Sequence, residues 1–164
     1  MKRSVQLSLI YGAAVAAMSL TLTAQAQAAV DPVIHTGAGR ISESVTVPPG
    51  YDTVYFSGTG GAANPPPGDP GDTEAQATAT LEKFKTIMAA KGMTLGDIVM
   101  MHAYVAVDPK MGKADLVGWN KAYAKFFGTP EQPNKPSRVS IVSVLAGSGL
   151  IEVEIIGVTP HKGK

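Results

Sequence analysis

The stretch IVMMHAYVAV, residues 98–107, decides the fold of this chain of 164 residues. It is long, rich in β-branched side chains, and apolar at both sets of alternating positions. A strand that lies inside a sheet has this composition, because both of its faces need apolar cover. We therefore predict a central strand here and read the rest of the chain outward from it.

A helix is predicted on each side of this strand. Upstream, an apolar stripe at helical spacing runs through residues 73–91: Ala77, Leu81, Phe84 and Met88. Thr73 and Gln76 fit a capping box at its start, and Gly92 is a suitable stop. Downstream, ADLVGWNKAYAKFF, residues 114–127, predicts the second helix.

Two pairs of strands are predicted at the outer ends of the domain. Val45 and Val47 alternate with polar residues before a Pro-Gly turn and TVYFSG, which predicts a hairpin. Residues 138–144 and 150–158 predict a second hairpin around LAGSG. The resulting order β-β-α-β-α-β-β favours an α+β fold, with one mixed sheet and both helices packed on one face. The other face then needs a cover, which predicts self-association.

The N-terminus has the pattern of a secretory signal peptide. A charged start, an apolar stretch and small residues before a cut site predict a signal peptide over residues 1–28, ending at Ala26 or Ala28. The alternative is an uncleaved membrane anchor, but polar residues interrupt the apolar run. We predict a loose leader over 29–43, a single domain over 44–160 and a tail over 161–164. The mature protein is then periplasmic or secreted, with no membrane segment.

Composition excludes several kinds of site. The formal net charge is +1, so no strong basic field for nucleic acid is expected. The chain has no cysteine, which excludes disulfides, thiolate catalysis and cysteine-based metal sites. Its three histidines are far apart and form no metal-ligand spacing, so no metal is predicted.

Arg138 stands at the mouth of an apolar strand, where an unpaired guanidinium is costly. If the last two strands form a hairpin, Arg138, Ser140, Glu152 and Glu154 point to the same side. One interpretation is a salt bridge between Arg138 and Glu154. The other is a cleft in which Arg138 binds a substrate carboxylate and a nearby glutamate handles protons.

The same segments resemble the RidA family, the reactive-intermediate deaminases. The resemblance covers about residues 51–159. Its pieces are VYFSG (54–58), EAQATATLEKFKTIMAAKG (74–92), DIVMMHAYVAVD (97–108), WNKAYAKFFG (119–128), KPSR (135–138) and LIEVEIIGV (150–158). The Pro-x-Arg followed by alternating glutamates is the most specific part.

The resemblance implies a chorismate-mutase-like subunit in a homotrimer, with sites between subunits. It implies that Arg138 grips a substrate carboxylate and that Glu152 positions the hydrolytic water. The remaining substrate-binding positions that it implies are Asn120, Ser57, Gly58 and Ser140. In relatives, the arginine and asparagine come from one subunit and the glutamate and Ser-Gly from its neighbour.

The implied reaction is hydrolysis of enamines and imines, of the 2-iminobutanoate or 2-iminopropanoate type, to 2-oxo acids and ammonia. No cofactor is expected. The usual Gly-Pro-Tyr signature of the first strand is absent, however. The alternative is therefore a non-catalytic trimer that binds small carboxylates or acts as a chaperone in the periplasm. A ribonuclease, sometimes proposed for relatives, is disfavoured by the charge balance.

Overall fold

The computed structural model describes residues 30–60 and 71–162. The predicted signal peptide, most of the Pro/Gly-rich stretch and the last two residues lie outside the described residues. No helix within the described residues is long and apolar enough to cross a membrane.

The described chain forms eight strands, two helices and one short 3-10 turn. In chain order they are β1 (Ile34–Thr36), β2 (Ser44–Thr46), β3 (Tyr51–Thr59), α1 (Thr73–Ala89), the turn Leu95–Asp97, β4 (Ile98–Val105), β5 (Val107–Asp108), β6 (Lys113–Ala114), α2 (Leu116–Ala124), β7 (Ser137–Val142) and β8 (Ile151–Pro160).

The main sheet has four strands in the order β3-β8-β4-β7. β8 is antiparallel to both of its neighbours, and β4 is parallel to β7, so the sheet is mixed. β4 lies inside the sheet, which confirms the predicted central strand. Both helices pack on one face, which confirms the predicted α+β class.

The core lies between the helices and this face of the sheet. From the helices come the fully buried side chains of Leu81, Phe84 and Trp119, and from β8 those of Val153 and Ile155. Burying each of these large side chains contributes about 1.5–3 kcal/mol. The opposite face of the sheet, called here the open face, carries no helix from the described residues.

Helix α1 begins at Thr73 as predicted, but its N-terminus is capped by a different residue. The Asp72 carboxylate accepts a hydrogen bond from the Ala75 N–H at 2.8 Å, so Asp72 is the N-cap and the predicted Thr73–Gln76 box is wrong. Gln76 is instead buried, and its Oε1 accepts from the Leu150 N–H at 2.8 Å. This bond ties the first helix to the start of β8.

Both predicted hairpins are wrong. β2 pairs with β1 rather than β3, and β3 pairs with β8. β7 and β8 do not pair, since β4 lies between them. The reason is that α2 connects β4 to β7 as a β-α-β unit, which places β7 parallel on one edge of β4 and leaves the other edge for β8.

The predicted loose leader is also wrong in part. Residues 34–36 form β1, and the Ser42 hydroxyl donates a hydrogen bond to the Lys135 carbonyl at 2.5 Å. The His35 Nδ1 lies 2.7 Å from the same carbonyl oxygen. This segment is therefore held against the chain that enters β7, immediately before Arg138.

Candidate functional site

Arg138 lies on the helix side of the sheet, against α2. Its Nη2 donates a hydrogen bond to the Asn120 Oδ1 at 2.8 Å. Its guanidinium carbon lies 4.2 Å from the ring centre of Tyr123 and 5.2 Å from that of Trp119, within the range of cation–π attraction. The Trp119 Nε1 donates to the Ser140 Oγ at 2.8 Å. We call Arg138, Asn120 and Ser140 the helix-side group.

The Arg138 guanidinium has N–H donors that make no hydrogen bond within the described residues. Nη1 is buried and makes no hydrogen bond within the described residues, and no carboxylate there pairs with this side chain. Burial lowers the pKa of Arg138, the nearby Tyr123 opposes that change, and the positive charge of Arg40 lowers the pKa further. An unpaired donor of this kind costs about 1–3 kcal/mol, which an incoming anion would offset.

A surface cavity of about 310 Å³ adjoins the helix-side group. Its lining residues are Arg40, Val117, Asn120, Lys121 and Ala124, none of them acidic. Asn120 therefore connects the cavity to Arg138. Residue 40 was not singled out from the sequence, because it falls in the segment read as a leader.

Glu152, on β8, lies on the open face beside Ser57 and Gly58, the two predicted site residues of β3. Its carboxylate sits directly against the Gly58 backbone, where a β-carbon would collide with Oε1. The β3–β8 pairing is irregular between Phe56 and Thr59, and Ser57 and Gly58 occupy this bulge. Within the described residues, Glu152 makes no ion pair or hydrogen bond through its side chain. We call Ser57, Gly58 and Glu152 the open-face group.

A hydrogen-bonded cluster beside this group was missed from the sequence as a functional feature. Glu154 Oε1 lies 2.7 Å from the His102 Nδ1 and accepts from the Tyr104 hydroxyl at 3.0 Å. These bonds, from His102 first and then Tyr104, lower the pKa of Glu154, and Glu154 in turn raises the pKa of Tyr104. A cavity of about 320 Å³ beside them is also lined by Ser57 and Tyr55. The signal was available, since positions 102 and 104 share one face of β4.

The prediction that Arg138 and Glu152 share a face is wrong within one subunit. Arg138 pairs in register with Met101, which is fully buried under the helices, whereas Glu152 pairs with Tyr104 on the open face. Ser140 likewise faces the helices. The predicted salt bridge between Arg138 and Glu154 is wrong for the same reason, since Glu154 bonds to His102 instead.

A family model described as Endoribonuclease L-PSP matches residues 37–159. The chain belongs to this family. The predicted resemblance to the RidA family is thereby confirmed, since a similar solved structure, described below, is named RidA.

Two sequence relatives and two solved structures show which proteins this family member is similar to. A RutC family protein of Pyrococcus horikoshii is 34% identical over 52% of this chain and 62% of its own length. A RutC family protein of Haemophilus influenzae is 34% identical over 58% and 71%. RidA from an Antarctic Psychrobacter is 27% identical, covering 75% of this chain and 91% of that one, with a TM-score of 0.50. TdcF of E. coli, solved with bound serine, is 26% identical over 80% and 91%, with a TM-score of 0.54. The aligned region thus spans less than two thirds of the Pyrococcus protein.

The predicted site residues of this family member fall into two separate groups. One combines a cation, an amide and aromatic rings, and the other a carboxylate, a hydroxyl and a close backbone. No group of three or more histidine, aspartate or glutamate side chains suited to a metal ion occurs in the described part of the chain. The available chemistry is therefore anion binding by the first group and proton transfer by the second.

Proposed function

We propose that this protein is a deaminase that hydrolyses 2-iminobutanoate- or 2-iminopropanoate-type imines and enamines to 2-oxo acids and ammonia. The observation that carries the proposal is Arg138, which is oriented by Asn120 and two rings but has no carboxylate partner among the described residues. TdcF was solved with serine, a ligand whose carboxylate suits such an arginine. A planar guanidinium binds a carboxylate through two parallel N–H donors.

The site is proposed to form between subunits of a homotrimer. Arg138 and Glu152 lie on opposite sides of one sheet, so a neighbouring copy has to supply the missing group. The open face supports this, because it exposes the apolar side chains of Tyr55, Met100, Val139 and Ile141, by 77%, 38%, 44% and 44% respectively. A second copy of the chain is the occupant that also completes the site.

In the proposed reaction, Arg138 holds the substrate carboxylate and offsets its charge. Glu152 of the adjacent subunit accepts a proton from water as the oxygen adds to the imine carbon. The same carboxyl group returns that proton to nitrogen, which gives a carbinolamine. The carboxylate then takes the hydroxyl proton of the carbinolamine and passes it to nitrogen, the C–N bond breaks as the C=O bond forms, and ammonia leaves. Ser57 and Gly58 form the wall beside Glu152. No oxidant or reductant is consumed.

The test is release of ammonia and 2-oxo acid from 2-iminopropanoate and 2-iminobutanoate, generated in situ by an amino acid oxidase. We expect release above the spontaneous rate, its loss in Glu152→Gln, and a loss of more than about tenfold in Arg138→Lys, which keeps the charge but not the fork. Lys91→Ala, an exposed cation that lines neither cavity, is the control. Full activity in Glu152→Gln would refute the role of Glu152.

A non-catalytic carboxylate-binding trimer is the second candidate, favoured by the missing Gly-Pro-Tyr signature. Equilibrium binding of propanoate separates the two. In the deaminase, Glu152→Gln abolishes turnover and spares binding. If no imino acid is hydrolysed faster than in buffer, yet propanoate binds and Arg138→Ala abolishes that binding, the binding function replaces the deaminase.

We also propose that the mature protein is exported to the periplasm or secreted. The support is the signal pattern of residues 1–28. Expression of the full chain in a Gram-negative host, fractionation and intact mass measurement test this. A mature species that starts after residue 26 or 28 in the periplasmic fraction is expected, whereas an uncut species in the membrane fraction would indicate an anchor.

A further inference from the structure

The cavity next to the helix-side group carries more positive charge than one carboxylate requires. Arg40 and Lys121 both line it, with Asn120 between the cavity and Arg138. Within the described residues, neither Arg40 nor Arg138 has an ion-pair partner. Arg40 is also near enough to Arg138 to disfavour its charged form.

Two unpaired guanidinium groups close to each other cost electrostatic energy in the empty protein. A single carboxylate on Arg138 offsets one positive charge and leaves Arg40 facing the ligand. A ligand with two carboxylates offsets both, and its second carboxylate can also be reached by Lys121 from the cavity wall. The cavity of about 310 Å³ has room for a short side chain that ends in a carboxylate.

We propose that this site prefers dicarboxylic substrates, in which Arg138 binds the carboxylate next to the reacting carbon and Arg40 binds the distal carboxylate. The preferred substrates are then imino acids such as 2-iminosuccinate and 2-iminoglutarate rather than 2-iminopropanoate. This inference rests on the proposed function for its reaction, but the ligand preference itself rests only on the cavity and its charges.

Arg40 is held in place by the segment that docks on the entry to β7. Ser42 and His35 both bond to the Lys135 carbonyl, and the Lys135 Nζ donates to the Gly39 carbonyl at 2.7 Å. Gly39 and Ser42 lie on either side of Arg40 in the chain, and Lys135 precedes Arg138 by three residues. The backbone segments that carry the two arginines are therefore joined by these bonds.

The first test is equilibrium binding, independent of turnover, by titration calorimetry of the mature protein with succinate and with propanoate. We expect succinate to bind about tenfold more tightly, with a preference that shrinks as salt is added. In Arg40→Ala the succinate-to-propanoate preference falls to near one, in Arg40→Lys it is partly retained, and in Lys91→Ala it is unchanged. Equal affinities in the native protein, or a preference unaffected by Arg40→Ala, would overturn the inference.

The second test compares kcat/KM for 2-iminosuccinate, generated by an aspartate oxidase, with that for 2-iminopropanoate. The ratio is expected to favour 2-iminosuccinate and to fall about tenfold in Arg40→Ala. If neither imino acid is hydrolysed but the succinate preference depends on Arg40, the dicarboxylate inference holds and the deaminase proposal fails. If 2-iminopropanoate is hydrolysed faster than 2-iminosuccinate, the deaminase stands and the inference is overturned.

Discussion

Gly58→Ala provides a direct test of the position of Glu152. A β-carbon on residue 58 would overlap Glu152 Oε1 and lie 3.1 Å from Cδ and 3.3 Å from Cγ. To reach an ordinary contact distance, the carboxylate oxygen has to move by about 1 Å. The atoms that must move are the end of a flexible, half-buried side chain, so the fold can tolerate the change.

A displacement of about 1 Å in a catalytic group can reduce the rate by roughly a hundredfold. We therefore expect Gly58→Ala to lower kcat for 2-iminopropanoate hydrolysis by about that factor, with propanoate binding largely kept, because Arg138 is untouched. The melting temperature should change by no more than a few degrees. Gly147→Ala is the matched control, because a β-carbon at residue 147 meets no atom within 4 Å.

The double variant Gly58→Ala/Glu152→Gln sharpens this prediction. If the glycine acts only by making room for the carboxylate, the double variant is no slower than Glu152→Gln alone. Full activity in Gly58→Ala would refute the proposed role of the Gly58–Glu152 contact. A cooperative loss of folding would instead place the strain in the backbone of β3.

Three further changes test other parts of the structure. Tyr123 has a buried hydroxyl without a hydrogen-bond partner among the described residues, so Tyr123→Phe should leave the free energy of unfolding unchanged or raise it by about 1 kcal/mol in urea. Burial raises the pKa of Tyr123 to about 12 from 10.0. The free energy of unfolding of the native protein should therefore fall as the pH rises between these two values, and it should fall less in Tyr123→Phe. Equal decreases in the two proteins would contradict this prediction. Hydrogen bonds from His102 and Tyr104 lower the pKa of Glu154 below 4.5, so its stabilisation is present above that pH and lost on further acidification. The urea midpoint should therefore fall more steeply between pH 7 and pH 3 in the native protein than in Glu154→Gln, and parallel profiles would refute it. Ile141→Asp should convert the proposed trimer to folded monomers in light scattering, and an unchanged trimer would exclude this residue from the interface.

Local patterns predicted the elements of this fold well. The apolar stripe that includes Leu81 and Phe84 placed the first helix at residues 73–91, and the structure has Thr73–Ala89. The apolar run at 98–107 was recognised as an interior strand because apolar residues occupy both sets of its alternating positions, and β4 indeed has a strand on each side. These features depend on neighbours along the chain, which the sequence displays directly.

Strand pairing was predicted poorly, because it depends on partners that are distant in sequence. β7 and β8 are separated by a short loop, and a hairpin is the usual outcome for such neighbours. The β4–α2–β7 crossover takes precedence and places β4 between them. Because the predicted partner of β7 was wrong, the predicted sides of the sheet to which its residues point were wrong too. Arg138 was therefore predicted to lie beside Glu152 in the same subunit.

The residue types of the candidate site were recognisable, but their grouping was not. Arg138 was recognised from its place before an apolar strand and Asn120 from the resemblance, and their hydrogen bond appears in the structure. Arg40 lay in a segment without periodicity, and only the folded chain brings it next to Arg138. Long-range placement of this kind leaves no local signal in the sequence.

β8, the last strand of the described residues, is an interior strand of the sheet, and the sheet cannot close without it. β3 and β8 pair residues that are roughly a hundred positions apart, and β4 has no antiparallel partner until β8 arrives. A nascent chain therefore cannot close the sheet before residues 151–160 have been synthesised. A chain that stops before residue 150 lacks β8 and leaves β3 and β4 without the strand that joins them. Under the proposed export, a chain that has not yet received β8 has no closed sheet to unfold before it crosses the membrane.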